Sequence, residues 1–225
     1  MRPEFTLRLG TQDAVAFAEV VMQNCYRLPN RFDPNDIVID VGANIGCFAV
    51  RCLASGAGRV AVVEPHPDNF ALLKRNTAPW GGQVGYQRAA LFWKRAEYVA
   101  IVDRGPQSAM HHVGDDGGNG LALSVPRVTL DDLLPNLRPG VPPAIRLLKL
   151  DCEGGEYPGL IEATRLRACR EIVVECHPMT VGDAAGSKMT HLDVVARLTA
   201  EGFDITATAP CGENTLVWAW NKAAP

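Results

Sequence analysis

An open, mostly parallel α/β sheet is the fold this sequence predicts, and three observations carry that prediction. Short β-branched runs alternate with helical patterns from residue 36 onward, the first run ends in a glycine-containing bend, and the chain closes on two strand-like segments separated by turn residues. Alternation of this kind needs right-handed crossovers between parallel strands, whereas the closing pair suits a hairpin and so an antiparallel end to the sheet.

The elements follow in order. Val15, Ala18, Val21, Met22 and Cys25 share one helical face, which predicts a leading helix over 12–27, within an N-terminal cap of residues 1–35. IVIDVGANIG then reads as strand and tight turn, and FAVRCLA as a helix. RVAVVEP is a buried strand stopped by Pro65, followed by a helix from Asp68 to Asn76 with Phe70, Leu72 and Leu73 inward. A third strand spans Val84 to Gln87. Between 92 and 128 the pattern changes: Glu97 to Asp103 and Leu121 to Val128 read as extra strands flanking the glycine-rich GDDGGNG segment. Regular alternation returns with TLDDLL as a short helix, IRLLKLD as a strand, EYPGLIEATRLR as a helix and EIVVECH as a strand. A helix from about His191 to Ala200 and the strands FDITATA and NTLVWAW complete the chain, with Gly212 and Asn214 at the turn.

Composition narrows the function. The 225 residues, 47% hydrophobic and 21% charged, suffice for one substantial domain, and no linker divides them. Acidic side chains number 25 and basic ones 22, interspersed without the basic stripe that a nucleic-acid backbone requires. A small-molecule acceptor or ligand is therefore expected, with no nucleic acid and no membrane as partner. No apolar run reaches the ~18 residues of a membrane span and no secretory leader is evident, so a cytoplasmic protein is expected. Seven cysteines without a Cys-x-x-Cys pair are expected to be reduced. Oligomeric state is not legible.

In an open parallel sheet, ligands sit beyond the carboxyl ends of the strands. Residues Asp40 to Gly46 belong there. Gly42 and Gly46 permit a sharp turn, the following helix offers N–H groups to an anion, and Glu64 ends the next strand, where a carboxylate can hold both hydroxyls of a ribose. A dinucleotide fingerprint would be G-x-G-x-x-G; the turn here is Gly42-Ala43-Asn44-Ile45-Gly46, which favours a nucleotide ligand without a pyrophosphate.

These residues resemble the FkbM-type S-adenosylmethionine-dependent methyltransferases. IDVGANIG (39–46), VEPHPDNFALLKRN (63–76), RAAL (88–91), TLDDLL (129–134), LLKLDCEGGEYPGL (147–160) and VVECH (173–177) stand in the family's order, and Glu19 and Tyr26 extend the likeness weakly. The resemblance implies a Rossmann-like class I fold: a mostly parallel seven-stranded sheet with helices on both faces, an antiparallel last strand and extra strands before the fourth core strand. It also implies S-adenosyl-L-methionine as cofactor, and small-molecule O-methylation in natural-product or saccharide chemistry. On that resemblance Asp40, Gly42, Ala43, Asn44 and Gly46 surround the methionine part, Glu64 holds the ribose, Pro65, Ala89 and Ala90 border adenine, and Asp151 completes the cofactor site. Tyr26 either covers the cofactor carboxylate or is a buried structural tyrosine. Asn69 and Asn76 fit the family pattern and are assigned to helix structure.

KLDCEGGE carries the reacting end, because an apolar strand has no packing reason to finish on Lys149, Asp151, Glu153 and Glu156. Strand alternation puts Lys149 with Asp151 and Glu175 with His177, and the pairs converge if the strands are neighbours. Methyl transfer to a hydroxyl is an in-line displacement that needs a proton acceptor. His177 is the expected base, with Glu175 or Asp151 orienting it and Lys149 steadying the acids. Four acids close together repel unless something positive lies among them. A Mg²⁺ ion at Asp151, Glu153 and Glu175, or a cationic amine or guanidine acceptor, would satisfy that, and metal-free O-methylation is placed first. Glu156 is assigned to the helix dipole. Ser108, His111 and His112 are expected to line the acceptor site, with 104–120 as a lid. A nicotinamide-dependent oxidoreductase and a non-catalytic cofactor-binding module are the competing readings.

Overall fold

The first core strand, β1 (Ile37–Val41), is buried almost along its whole length, as a β-branched run covered on both faces must be. The computed structural model describes residues 4–92, 97–103, 121–137, 144–177, 179–180, 188–211 and 213–224. They fall into two compact units: Met1–Ala90 with Arg95–Arg127, and Leu91–Lys94 with Val128–Pro225.

In the first unit the leading segment begins as α1 (Asp13–Phe17) and widens into a π-type turn over Ala18–Met22. The expected helix over 12–27 is thus shorter. Asn24, at φ 55°, ends it by bonding both the N–H and the carbonyl of Leu28 through its side chain. Beyond β1 come α2 (Cys47–Ala54), β2 (Arg59–Val63), α3 (Pro67–Thr77) and β3 (Val84–Gln87). Cys47, Phe48, Ala49, Cys52 and Leu53 form the buried face of α2, and Pro67 opens α3 with a preset φ. β1, β2 and β3 pair in parallel, with Asp40 opposite Val62 and Val63 opposite Gln87.

After the two-residue β4 (Ala90–Leu91), the inserted strands β5 (Tyr98–Asp103) and β6 (Leu121–Val128) pair antiparallel, close to the bounds that β-propensity gives. The second unit contains α4 (Leu130–Leu133), β7 (Ile145–Leu150), α5 (Glu156–Glu162), β8 (Cys169–Cys176), β9 (Met179–Thr180), β10 (Lys188–Met189), α6 (His191–Ala200), β11 (Phe203–Cys211) and β12 (Asn214–Asn221). Thr129 with Asp132 and Thr190 with Asp193 make capping boxes that start α4 and α6. α5 stops earlier than the EYPGLIEATRLR pattern predicts. Ala163 is extended, and the Asp131 carboxylate takes the N–H groups of Thr164 and Arg165, which a continuing helix would have used.

β7 and β8 are parallel neighbours, Lys149 opposite Val173, whereas β12 runs antiparallel to both β8 and β11. The sheet order is β11-β12-β8-β7-β1-β2-β3. Leu148, Leu150, Val174, Leu198 and Phe203 are fully buried in the second unit, and truncating such a leucine to alanine costs about 2–5 kcal/mol. None of the seven cysteines is in a disulfide, and burial pushes the thiols of Cys152, Cys169 and Cys176 up. Among the described residues, no helix is long and apolar enough to cross a membrane.

Candidate active site

The glycine bend is fastened to the neighbouring strand. The N–H groups of Gly42 and Ala43 both donate to the carbonyl of Val63, at 2.9 and 3.0 Å, so the chain leaving β1 folds over the end of β2. Gly42 and Gly46 take φ of 76° and 92°, values that only glycine adopts freely. At Gly46 there is a second requirement: a Cβ there would lie 2.7 Å from Cδ1 of Leu73, so the bend rests directly on α3.

Asn44 is held at φ 49° without being a glycine. Its N–H donates to Oε2 of Glu64 at 2.9 Å, while the N–H of His66 donates to Oε1 at 2.9 Å. The carboxylate is thereby locked in orientation by two backbone groups. A carboxylate has about four acceptor sites, enough for these N–H groups and a pair of ribose hydroxyls together. The side-chain oxygen of Asn44 is buried and has no hydrogen-bond partner among the described residues. An acceptor left so costs about 1–3 kcal/mol, which a donor on a ligand, such as an amino-acid ammonium, would offset. Asp40 is fully buried, Ala43, Ala89 and Ala90 are buried, and Pro65 is half-buried. Tyr26 is buried edge-on to Phe48, with ring centroids 5.3 Å apart.

The second unit holds the charged cluster. β7 delivers Lys149, 3% exposed, whose Nζ lies 3.2 Å from Oδ2 of Asp151. β8 delivers Glu175 and His177, and Nε2 of His177 lies 3.5 Å from Glu153, 3.8 Å from Asp151 and 3.9 Å from Glu175. The convergence expected of neighbouring strands is therefore present. Asn214 on β12 donates to Oε1 of Glu175 at 3.0 Å and fixes that side chain. Glu153 sits at φ 53°, a strained conformation for a residue other than glycine.

Glu156 has a role its spacing did not announce. It is entirely buried, accepting from the Gly154 N–H on one oxygen and from the His177 N–H on the other. The helix-dipole assignment is therefore incomplete: this carboxylate is the anchor of His177. Burial alone would lower the imidazole pKa, but the hydrogen bond to Glu156 and the charges of Glu156, Asp151 and Glu153 outweigh it and push it up to about 10. The expected neutral histidine is thus a cation near neutral pH. For Glu153 burial is the main influence; with Asp151, Glu156 and Glu175 nearby it outweighs the attraction of His177 and raises the carboxyl to about 7. Asp151, Glu153 and His177 can bring one ligand atom each within 4.8 Å of one another, a donor set that suits a small divalent ion. Ser108, His111 and His112 lie outside the described residues.

A parallel sheet closed by an antiparallel strand, with a glycine bend after its first strand and an acid ending its second, is the Rossmann-like fold of the class I S-adenosylmethionine-dependent methyltransferases. An S-adenosylmethionine-dependent methyltransferase from Mesorhizobium loti shares it, with 14% identity over 91% of this chain and 98% of that one and a TM-score of 0.51. A protein from Listeria monocytogenes matches with 12% identity over 92% and 99% of the two chains, also at 0.51. No curated protein matches. Residues 40–205 match the methyltransferase FkbM domain, and the chain belongs to that family. It is a methyltransferase that uses S-adenosyl-L-methionine, and the oxidoreductase reading falls with that membership.

Proposed function

We propose that this enzyme methylates a hydroxyl of a small molecule, with Glu153 taking the proton and His177 as the fixed cation beside it. One observation carries the reading: a carboxyl group tuned to about 7 stands 3.5 Å from an imidazolium. An alcohol must lose its proton as the methyl group arrives, and an acceptor with a pKa near the working pH does this best. His177, already protonated, instead keeps the acids in place and stabilises the base once it is charged. The cofactor would lie on the bend at 42–46 with its ribose on Glu64; the sulfonium supplies the electrophilic methyl group.

The charge count bears on the alternatives. Asp151, Glu153, Glu156 and Glu175 face Lys149 and His177, so the cluster already contains two cations and does not need a third from the acceptor. N-methylation of an amine or guanidine is the second reading, favoured by the excess of two acids over bases when all are ionised. A divalent ion at Asp151 and Glu153 would serve the same balance. Acceptor choice we assign to the insertion at 92–128, within a single catalytic domain.

Labelled cofactor should transfer methyl groups to a panel of hydroxylated small molecules, in the presence of a chelator, and not to the corresponding amines. Transfer to amines alone would replace the reading by the second one. Loss of all transfer with chelator, restored by Mg²⁺, would replace the metal-free mechanism.

A further inference from the structure

Two asparagines seven residues apart on one face of α3 each bond in two directions. Asn76 accepts the N–H of Thr6 on Oδ1 at 2.8 Å, and its Nδ2 donates both to the carbonyl of Thr6 at 3.1 Å and to that of Ile45 at 2.9 Å. Asn69 accepts from Nη2 of Arg8 at 2.8 Å, and its own Nδ2 points at Oε1 of Glu64 from 3.5 Å. Both asparagines are buried, which an exposed helical asparagine with only a local role would not be. On their outer side they hold residues 6–13; on their inner side they end on the two elements read here as the cofactor site.

Residues 6–13 are themselves a closed unit. Arg8 clamps the buried carboxylate of Asp13 through Nε at 3.0 Å, Nη2 at 2.8 Å and its backbone N–H at 2.8 Å. The same Nη2 reaches Asn69, so the clamp and the helix share one guanidinium. The next residue, Leu9, is 99% exposed and Leu7 is only half-buried, so polar contacts carry much of the hold on this stretch.

We propose that residues 6–13 form a strap whose closure is linked to cofactor binding, with Asn69 and Asn76 as the positioning residues that transmit it. The inference rests on the reading of the 42–46 bend and Glu64 as the cofactor site. An open strap strips Asn76 of two of its three bonds and leaves the Ile45 carbonyl held by a side chain free to turn. A closed strap fixes that side chain, and through it the bend. Linkage is reciprocal: if closure tightens cofactor binding, the cofactor must tighten closure by the same factor.

The test combines binding with proteolysis on the full-length protein. S-adenosylhomocysteine affinity is measured by calorimetry for the wild type, Thr6→Pro, Arg8→Ala and Asn76→Ala, and trypsin cleavage of the bond after Arg8 is followed by mass spectrometry with and without the ligand. Trypsin takes Arg8 only when the guanidinium leaves Asp13 and Asn69. The ligand should slow that cut about tenfold in the wild type, and the three variants should bind about tenfold more weakly. At saturating cofactor their kcat should stay within twofold, with the loss confined to KM. Thr6→Pro removes one strap N–H and leaves both buried asparagines in place, so it stays informative if Asn76→Ala does not fold. Wild-type binding with equal affinity in Thr6→Pro and unprotected cleavage would overturn the strap. Absence of binding by the wild type would instead remove the cofactor site on which the strap depends.

Discussion

Nδ1 of His177 lies 2.9 Å from Oε1 of Glu156, the same oxygen that accepts the His177 backbone N–H at 2.8 Å. One buried carboxylate thus fixes the ring's orientation and its charge together. Replacing Glu156 by Gln keeps a side chain of the same shape but removes the negative charge. The imidazole pKa should then fall from about 10 by more than one unit, read by NMR titration of the ring protons. An unmoved pKa would show that Asp151 and Glu153, not Glu156, hold the proton. Glu156→Ala should cost about 1–3 kcal/mol of stability, since the N–H groups of Gly154 and His177 both lose their acceptor.

Glu153 and His177 set the expected pH dependence of methyl transfer. Glu153 must be ionised to accept a proton, so the rate should rise as pH passes through about 7. His177 must stay charged, so the rate should fall as pH passes through about 10. The groups facing this pair are Lys149 and Asp151 at the end of β7, Glu156 on α5 and Glu175 on β8. A profile of kcat/KM with a plateau between the two values is expected. A rate that falls through pH 7 would assign the acid role to Glu153, and Glu153→Gln with full activity would remove it from the chemistry.

Stability should follow proton uptake in the opposite sense. The imidazole is raised from 6.5 to about 10, so its contribution is complete below pH 6.5 and lost as pH rises through 10. The Glu153 carboxyl is raised from 4.5 to about 7, so the native state holds that proton more tightly and loses stability as pH climbs from 4.5 to 7. Asp13 works the other way: burial would raise it, but Arg8 lowers it, so its contribution is lost as pH falls below its usual range. The urea midpoint should be highest near pH 5 and decline toward pH 10. In His177→Gln the decline between 7 and 10 should flatten; an unchanged slope would place the proton elsewhere.

The sheet was legible because its signals are local. IVIDV and RVAVV are apolar apart from Asp40 and Arg59, as strands covered on both faces should largely be, and the Gly42 to Gly46 bend needs backbone angles that its glycines disclose. Helix ends were less so. α5 stops at Glu162 because Asp131, 33 residues away from Thr164, supplies the competing acceptor. The charged residues of the cluster could be listed from strand alternation, but not their protonation. That depends on which carboxylate is buried, and Glu156 looks like any acid in a first helical turn until its contact with a residue 21 positions on is known. Asn69 and Asn76 were unreadable for the same reason, since their partners Arg8 and Thr6 lie 61 and 70 residues away.

Gly46 offers the most direct separation of fold from cofactor site. An alanine there meets two penalties: φ of 92° is unfavourable for any residue with a Cβ, and the added carbon falls 2.7 Å from Cδ1 of Leu73. The leucine tip can turn aside, so the steric part should stay within about 1–3 kcal/mol and the protein should remain folded. Backbone relief is harder. The Gly46 N–H bonds the Ala43 carbonyl at 2.9 Å, and the Gly46 carbonyl accepts from Val50 in the first turn of α2, so rotating φ pulls on the bend and the helix together. A shifted bend moves Asn44, whose N–H then leaves Glu64, and the carboxylate loses one of the two donors that aim it. Gly46→Ala should therefore lower S-adenosylhomocysteine affinity at least tenfold, about 1.4 kcal/mol, while circular dichroism still reports a cooperative melt. Retained affinity alongside a lowered melting temperature would mean that the bend supports only the fold, and that the cofactor is held elsewhere.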